Sequence, residues 1–205
     1  QRQMCIRDSQ MAKDAPNASI ELNPLSGDFL EQLRAGRADI AVYPLDTVPK
    51  DFHRLELYQS RRGILVRQGH PLIKKYEKAG RIELDDLRAF KHVMMNLPGT
   101  PELSPAAYQQ YSFEVGISLP YFLGVPYVLA DTDYVYIGPV VTLMHCLRLP
   151  DCNLRVLPAP PEVSPFTPAI IWHHGAHTDP FLQWVRGVLL QSAREEAKRY
   201  NAIEI

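Results

Sequence analysis

The stretch 119–139, LPYFLGVPYVLADTDYVYIGP, predicts a helix followed by a strand, and this pair decides the fold of the chain. Pro120 is compatible with the first turn of a helix, where the missing N–H of proline leaves no bond unmade. Residues 131–133 then interrupt the helical pattern, and the β-branched and aromatic run 134–137 is typical of a short buried strand. The helical pattern itself consists of apolar residues on one face: Phe122, Val125, Val128 and Leu129.

A second strand is predicted just before this helix, over residues 112–119. Strand, helix and strand in this order predict a βαβ unit. The amide N–H groups at the helix start, Pro120–Tyr121, are then expected to point past the strand ends, where they suit an anionic or polar ligand. The rest of the chain is expected to build the other wall of that ligand site.

The composition limits the possible function classes. The chain has 205 residues, 46% of them apolar, and a formal net charge of −1, which is typical of a globular protein with a real core. The sequence contains no long basic run, so the chain as given lacks the electrostatic signature of a nucleic-acid binder. No apolar run is long enough to span a bilayer. Three cysteines, Cys5, Cys146 and Cys152, are too few for a disulfide framework and favour a reducing compartment.

The flanking segments also predict α/β structure. Near the start, a strand over 19–23, a helix over 28–36 and a strand over 39–44 are predicted, the last apolar enough to be buried on both faces of a parallel sheet. Near the end, Asp179-Pro180 has the residues of a helix start and opens a long final helix. Between these segments the pattern predicts a helix over 140–147 and five further strands, over 55–58, 63–66, 92–96, 154–157 and 167–172.

Several spaced motifs resemble one family. The run from Pro120 to Asp133, PYFLGVPYVLADTD, is similar to the effector-binding domain of LysR-type transcriptional regulators, in the branch that includes nodulation and aromatic-degradation regulators. Three other marks agree with the family: LRAGRADIA at 33–41, His-Pro-Leu at 70–72, and Trp172-His173 followed by Asp179-Pro180.

The resemblance implies an α/β architecture of the type-2 periplasmic-binding-protein kind, with two Rossmann-like lobes and two crossovers. Lobe I is expected over 11–90 and 165–205, and lobe II over 91–164. Residues 1–10 match none of the patterns and are assigned as a non-native or unassigned N-terminal segment. The first strand of the family fold has no counterpart before Ser9 and is expected to be missing.

The resemblance also implies a function without catalysis. The chain is expected to be the effector-sensing domain of a cytoplasmic bacterial regulator, binding a small aromatic or carboxylate-bearing molecule in a cleft between the lobes. Partners implied by the family are a second copy in a dimer or tetramer, and DNA through an N-terminal helix-turn-helix that this sequence lacks. No membrane, cofactor or enzymatic activity is expected. The alternative is a periplasmic solute-binding protein of the same fold, and upstream sequence distinguishes the two.

The effector contacts implied by the resemblance fall on the first strand of lobe II and on the start of the helix near Pro120. They are Phe90, His92, Met94, Thr100, Tyr121 and Phe122, with Thr132 supporting the wall. Separately from the resemblance, Tyr43 ends a predicted strand that faces the cleft and is expected to line it from lobe I. Core packing is the competing interpretation for Phe90, Met94 and Phe122, and a hydrogen-bonded structural role is the one for His92.

Two other groups of residues raise alternatives. His173, His174 and His177 suggest a metal site, but no carboxylate completes a known ligand pattern, so no metal is expected. Cys146 and Cys152 flank a helix end, and buried thiols are expected there rather than a disulfide. His70 in the His-Pro-Leu motif is interpreted as a turn residue.

Overall fold

The structure is a computed structural model that describes residues 15–95 and 105–202. The predicted N-terminal segment 1–10 and the candidate residue Thr100 lie outside these ranges. Among the described residues, no helix combines the length and the apolar character that crossing a membrane requires.

The chain divides into two units, and the first boundary differs from the predicted one. The chain passes from the first unit to the second after Gln59, returns before Thr167, and enters the second unit again after Arg199. Residues 60–90 therefore belong to the second unit, although the sequence-based division placed them in lobe I. The reason is strand pairing: Arg62–Arg67 pairs with two strands of the second unit, Tyr136–Pro139 and Leu154–Pro158, and local sequence does not reveal a strand's partners.

Among the described residues, the first unit is a small antiparallel sheet with two α-helices. Its elements, in chain order, are α1 (Phe29–Arg34), β1 (Ala41–Tyr43), β2 (Phe52–Glu56), β8 (Ala169–His173) and most of α7 (Pro180–Asn201). Strand β8 lies between the other two and runs antiparallel to both, in the order β1-β8-β2. Ile171 packs with Leu33 and Phe52 on one face, and Trp172 packs with Ala193 of α7 on the other.

Two predictions for this unit are wrong. Strand β1 is not a parallel strand buried on both faces, because it pairs antiparallel with β8 and leaves Val42 42% exposed. Residues 19–23 do not form a strand, and both apolar side chains there, Ile20 and Leu22, are exposed. Alternation of apolar residues is not sufficient for a strand, which also needs a hydrogen-bonded partner, and no described strand pairs with this segment.

The second unit alternates strands and short helices. Its elements, in chain order, are β3 (Arg62–Arg67), α2 (Pro71–Ala79), α3 (Leu84–Arg88), β4 (Lys91–Met95), α4 (Pro105–Gln110), β5 (Glu114–Leu119), α5 (Val125–Ala130), β6 (Tyr136–Pro139), α6 (Val140–Cys146) and β7 (Leu154–Pro158).

These five strands form one mixed arrangement. Strands β4 and β5 are parallel, β6-β3-β7 is an antiparallel trio, and a parallel bridge between His92 and Val135 connects the two groups. Alternate residues point to opposite faces, as the strand period requires. We call the two resulting clusters core A, which contains Val66, Leu87 and Val135, and core B, which contains Leu65, Val93 and Leu129.

The stretch that decides the fold forms helix and strand as predicted, but the helix begins later. Tyr121 is extended, a 3-10 turn covers Phe122–Gly124, and α5 starts at Val125. Pro126, not Pro120, occupies the first turn of the helix. Both prolines satisfy the local rule for a helix start, and packing of Val125 and Leu129 into core B selects the second. The predicted set of amide N–H groups at Pro120–Tyr121 is therefore not formed by this helix.

His70 has a specific structural role in the second unit. Its Nδ1 accepts a hydrogen bond from the N–H of Leu72 at 3.1 Å, which caps α2, and Pro71 follows as the first helical residue. The Nε2–H donates to the carbonyl of Asp133 at 3.2 Å, and the side chain is fully buried. Burial lowers the pKa of His70, so the neutral ring is the form that makes both bonds.

Replacing His70 with Ala should reduce the free energy of unfolding by roughly 2–4 kcal/mol, because a helix cap, a buried hydrogen bond and ring packing are lost together. His70→Asn is the matched control, since its Oδ1 takes the place of Nδ1 and keeps the cap. We expect the Asn variant to retain about 1 kcal/mol more stability than the Ala variant in urea unfolding. Equal stability of the two variants would show that the cap bond contributes nothing.

Candidate functional site

The edge of the sheet where β4 and β5 end has the geometry of a ligand site. The two strands are parallel, and Met95 and Leu119, the last residue of each, lie side by side in the register. The chain after β4 leads to α4, whose Tyr108 packs in core A, whereas the chain after β5 leads to α5, which packs in core B. The helices that follow the two strands thus pack on opposite faces, and ligands of open α/β sheets bind in the crevice at such a switch point.

Three of the predicted contact residues lie at this carboxyl edge. Tyr121 and Phe122 follow β5 directly, and Met94 is the next-to-last residue of β4. The Tyr121 side chain is 65% exposed and thus available to a ligand. Phe122 is half-buried and packs on core B, with its ring centroid 5.6 Å from that of Tyr136. Met94 is half-buried and packs on core A. Side chains from both faces of the sheet, Met94 on core A and Phe122 on core B, therefore lie at this edge.

His92 lies in the interior and not on the surface of the site. The ring is fully buried, stacked on Phe113 with centroids 4.2 Å apart, and Nε2 is 3.0 Å from the carbonyl of Leu87. Since a carbonyl only accepts, Nε2 carries the proton. Burial lowers the pKa of His92 to about 4, so the ring is neutral at pH 7. The competing interpretation, a hydrogen-bonded structural histidine, therefore describes its position.

Phe90 and Thr132 lie at the opposite edge of the sheet. Phe90 immediately precedes β4, and its ring centroid is 4.5 Å from that of His70. Thr132 closes α5: its hydroxyl donates to the carbonyl of Val128 at 2.7 Å and accepts from the N–H of Tyr134 at 3.3 Å. The helix carries the chain back from the carboxyl edge to the amino edge, which separates Thr132 from Tyr121.

The remaining candidates belong elsewhere. Tyr43 is buried in the first unit, in the core around Leu33, with its ring 5.4 Å from that of Phe29. Thr100 lies outside the residues that the structure describes. The predicted set therefore does not form one cluster of side chains within the second unit.

Arg62 is a residue of this edge that the sequence analysis missed. It opens β3 opposite Pro139, the last residue of β6, and its side chain is 6% exposed. The guanidinium donates through Nε to the carbonyl of Ser164 at 3.1 Å and lies over the ring of Phe166. The sequence feature that could have indicated Arg62 is the pair of adjacent arginines at 61 and 62, which stands where the chain enters the second unit.

The buried phenols and thiols of the second unit are held in their protonated forms. Burial raises the pKa of Tyr108 and of Tyr136, so both phenols stay protonated at neutral pH. Within residues 15–95 and 105–202, no group of three or more His, Cys, Asp or Glu side chains is placed to hold a metal ion. Cys146 and Cys152 are both buried free thiols, and burial raises the pKa of each.

Comparisons with known proteins agree on one family. The sequence model of the family described as "LysR substrate binding domain" matches residues 9–194. The chain is 28% identical over 188 residues to nodulation protein D 1 of Rhizobium tropici, covering 89% of this chain and 58% of that protein. It is 27% identical over 187 residues to the regulator SyrM of Rhizobium meliloti, covering 87% of this chain and 54% of that protein. The chain thus spans little more than half the length of these relatives.

Solved structures show the same fold. The regulatory domain of MexT, a transcriptional activator in Pseudomonas aeruginosa, superposes with a TM-score of 0.70 at 21% identity, covering 93% of this chain and 91% of that one. The regulatory domain of MetR, a LysR family regulator from N. meningitidis, gives a TM-score of 0.71 at 10% identity, with coverages of 95% and 90%.

The neutral, buried state of His92 predicts a specific loss of stability in acid. The folded pKa of about 4 lies below the ordinary 6.5, so the contribution of His92 is complete above pH 6.5 and is lost as pH falls toward 4. Between pH 7 and 4.5 this loss is roughly 2–3 kcal/mol. His92→Gln, which retains an amide donor toward Leu87, should reduce the acid-dependent loss by about that amount in urea unfolding. An equal loss in both proteins would show that His92 is not buried as a neutral ring.

Proposed function

The chain belongs to the LysR substrate-binding domain family, and we propose that it senses a small aromatic or carboxylate-bearing effector for a DNA-binding transcription regulator. The single observation that supports a site within the second unit is the switch point at the ends of β4 and β5.

The side chains at the carboxyl edge support an aromatic ligand. Tyr121 offers an exposed ring, and the half-buried ring of Phe122 lies beside it along the chain. Aromatic surfaces bind other rings through offset or edge-to-face contacts as well as through burial of apolar area. Leu123, 53% exposed, adds apolar surface that an aromatic ligand would cover.

The charge at the same edge supports a carboxylate on that ligand. Arg62 brings a guanidinium to the start of β3, next to the end of β6. Guanidinium groups recognise carboxylates by charge-assisted and often paired hydrogen bonds. The neutral phenols of Tyr108 and Tyr136 add no negative charge to oppose such a ligand.

Binding would act by a shift in population and not by chemistry. An effector that binds one arrangement of the domain better than another changes the balance between the two by its difference in affinity. In the complete regulator, this change would reach DNA through a helix-turn-helix outside this sequence and through pairing of copies into a dimer or tetramer. We further propose that the complete regulator acts in the cytoplasm, as a transcription factor does.

Tyr121→Ala should weaken binding of an aromatic acid about tenfold, because a stacked ring contributes roughly 1 kcal/mol beyond the area that it buries. Benzoate, 4-hydroxybenzoate and a flavonoid phenol are suitable probes, measured by thermal shift and then by calorimetry. Tyr127→Ala is the matched control: its ring is 60% exposed, close to the 65% of Tyr121, but it lies within α5 and not at the strand ends.

We expect the Tyr127 variant to bind as the parent does. Equal weakening by both substitutions would point to a general apolar surface and contradict a site at the carboxyl edge. Binding that is unaffected by Tyr121→Ala would remove this edge from the effector site.

A further inference from the structure

Four aromatic rings of the first unit form a two-layer stack, which the proposed function does not use. The rings belong to His53 of β2, Trp172 at the end of β8, and His174 and His177 of the turn that follows. His53 and His177 are half-buried, and His174 is exposed, so protons from solvent can reach the stack.

One layer pairs Trp172 with His177. The two ring planes are parallel to within 1°, with centroids 6.0 Å apart, and the indole Nε1–H donates to His177 Nδ1 at 3.3 Å. An indole N–H is a donor only, so His177 Nδ1 must be unprotonated, and the single proton of the neutral ring is on Nε2. A second proton on His177 would have to go to Nδ1, which would break the bond from Trp172.

The other layer pairs His53 with His174. His53 Nε2 and His174 Nδ1 are 3.0 Å apart, with the rings tilted by 25°. One of these two nitrogens must carry the proton while the other accepts it. This layer can hold one additional proton, on an outer nitrogen, but a second would place two N–H groups against each other at that distance.

Stacking joins the layers and makes their charges interact. The centroid of His53 is 4.0 Å from that of His177, at an angle of 17°. Three free imidazoles could bind three protons, whereas the hydrogen bonds of the stack tolerate one. Like charges at such a separation also repel each other.

The surrounding charges come from three elements. Arg186 of α7 lies over Trp172 at 4.5 Å and donates to the carbonyls of Ala176 and His177. Asp179 caps the start of α7 and accepts from the N–H of Leu182.

Asp51, before β2, is hydrogen-bonded to Arg34, and its carboxylate lies 3.8 Å from His173 Nε2. The ring of His173 packs on Phe52, outside the stack. The cation of Arg186 thus opposes protonation of the stack, and the carboxylate of Asp51 is paired with Arg34 outside the stack.

We propose that this stack is a proton-sensitive latch, which holds the turn 174–177 against β2 at neutral pH and releases it on acidification. The bond from Trp172 requires a neutral His177 ring, whereas the bond between His53 and His174 tolerates one additional proton, so the Trp172 indole reports directly on the bond that protonation breaks. Burial and the neighbouring charges of His177 and His174 lower the pKa of His53, in agreement with this geometry. The stabilisation is therefore complete above pH 6.5 and is lost as pH falls below it.

The indole N–H resonance of Trp172 in a 1H–15N NMR titration from pH 8 to 5 tests this directly. The chain has two tryptophans, so Trp184→Phe leaves Trp172 as the single indole signal. We expect that signal to move with a midpoint below pH 6.5 as its acceptor is lost. In the same background, His53→Gln and His177→Asn together should abolish the movement, because their amides replace the bonded nitrogens and do not titrate.

His173→Asn is the matched control, since its Oδ1 can still accept from the N–H of Gly175, as His173 Nδ1 does. This variant should keep the full response. The dispersion of the backbone amide signals shows whether each variant is folded, and His177→Asn alone provides the test if the double variant is not folded, because it removes the titrating acceptor of the indole. Four results would each overturn the proposal. The first two are an indole signal of Trp172 that stays fixed over the titration and a midpoint at or above pH 6.5. The other two are a movement of that signal that survives in the folded stack variants and a movement that disappears in the His173→Asn variant.

Discussion

Two hydrogen bonds at Val135 hold the second unit together. The N–H of Val93 donates to the carbonyl of Val135, and the N–H of Val135 donates to the carbonyl of Lys91, each at 2.9 Å. They join the parallel pair β4-β5 to the antiparallel trio β6-β3-β7. Without this junction α4 and α5 would not cover opposite faces of one sheet, and the switch point at the ends of β4 and β5 would not exist.

Burial gives different roles to histidines that look alike in sequence. His70 and His92 are both fully buried in the second unit, and each uses Nε2–H to reach a backbone carbonyl. Both are therefore parts of the framework that positions the strands. In the first unit, His53 and His177 are only half-buried and stack on each other, so they remain open to protons. The same side chain is thus a fully buried structural element in one unit and a partly exposed member of a ring stack in the other.

The candidate site depends on the same distinction between interior and edge. Of the eight candidate residues predicted from the sequence, Tyr121, Phe122 and Met94 reach the carboxyl edge, and Phe90 and Thr132 lie at the other edge. A helix of six residues accounts for the separation of Thr132, because α5 carries the chain across the sheet. Arg62 reaches the carboxyl edge from β3, whose place between β6 and β7 has no local signature. A ligand at this edge would meet rings and a guanidinium that come from distant parts of the sequence.

Periodicity and capping residues in the sequence determined most of the elements: the strands at 63–66 and 154–157, the helix at 140–147, and the start of the last helix at Asp179-Pro180. These signals are local, since they depend on side chains that are two residues apart in strands and three or four residues apart in helices. The spacing of the sequence motifs also indicated the family to which the chain belongs. Only the tertiary structure decided that 19–23 is not a strand, that β1 is antiparallel, that 60–90 joins the second unit, and that His92 is interior. Each of these depends on which distant backbone groups become hydrogen-bonding partners. The free energy that favours one pairing of strands over another comes from residues far apart in the sequence, so no local pattern reveals it.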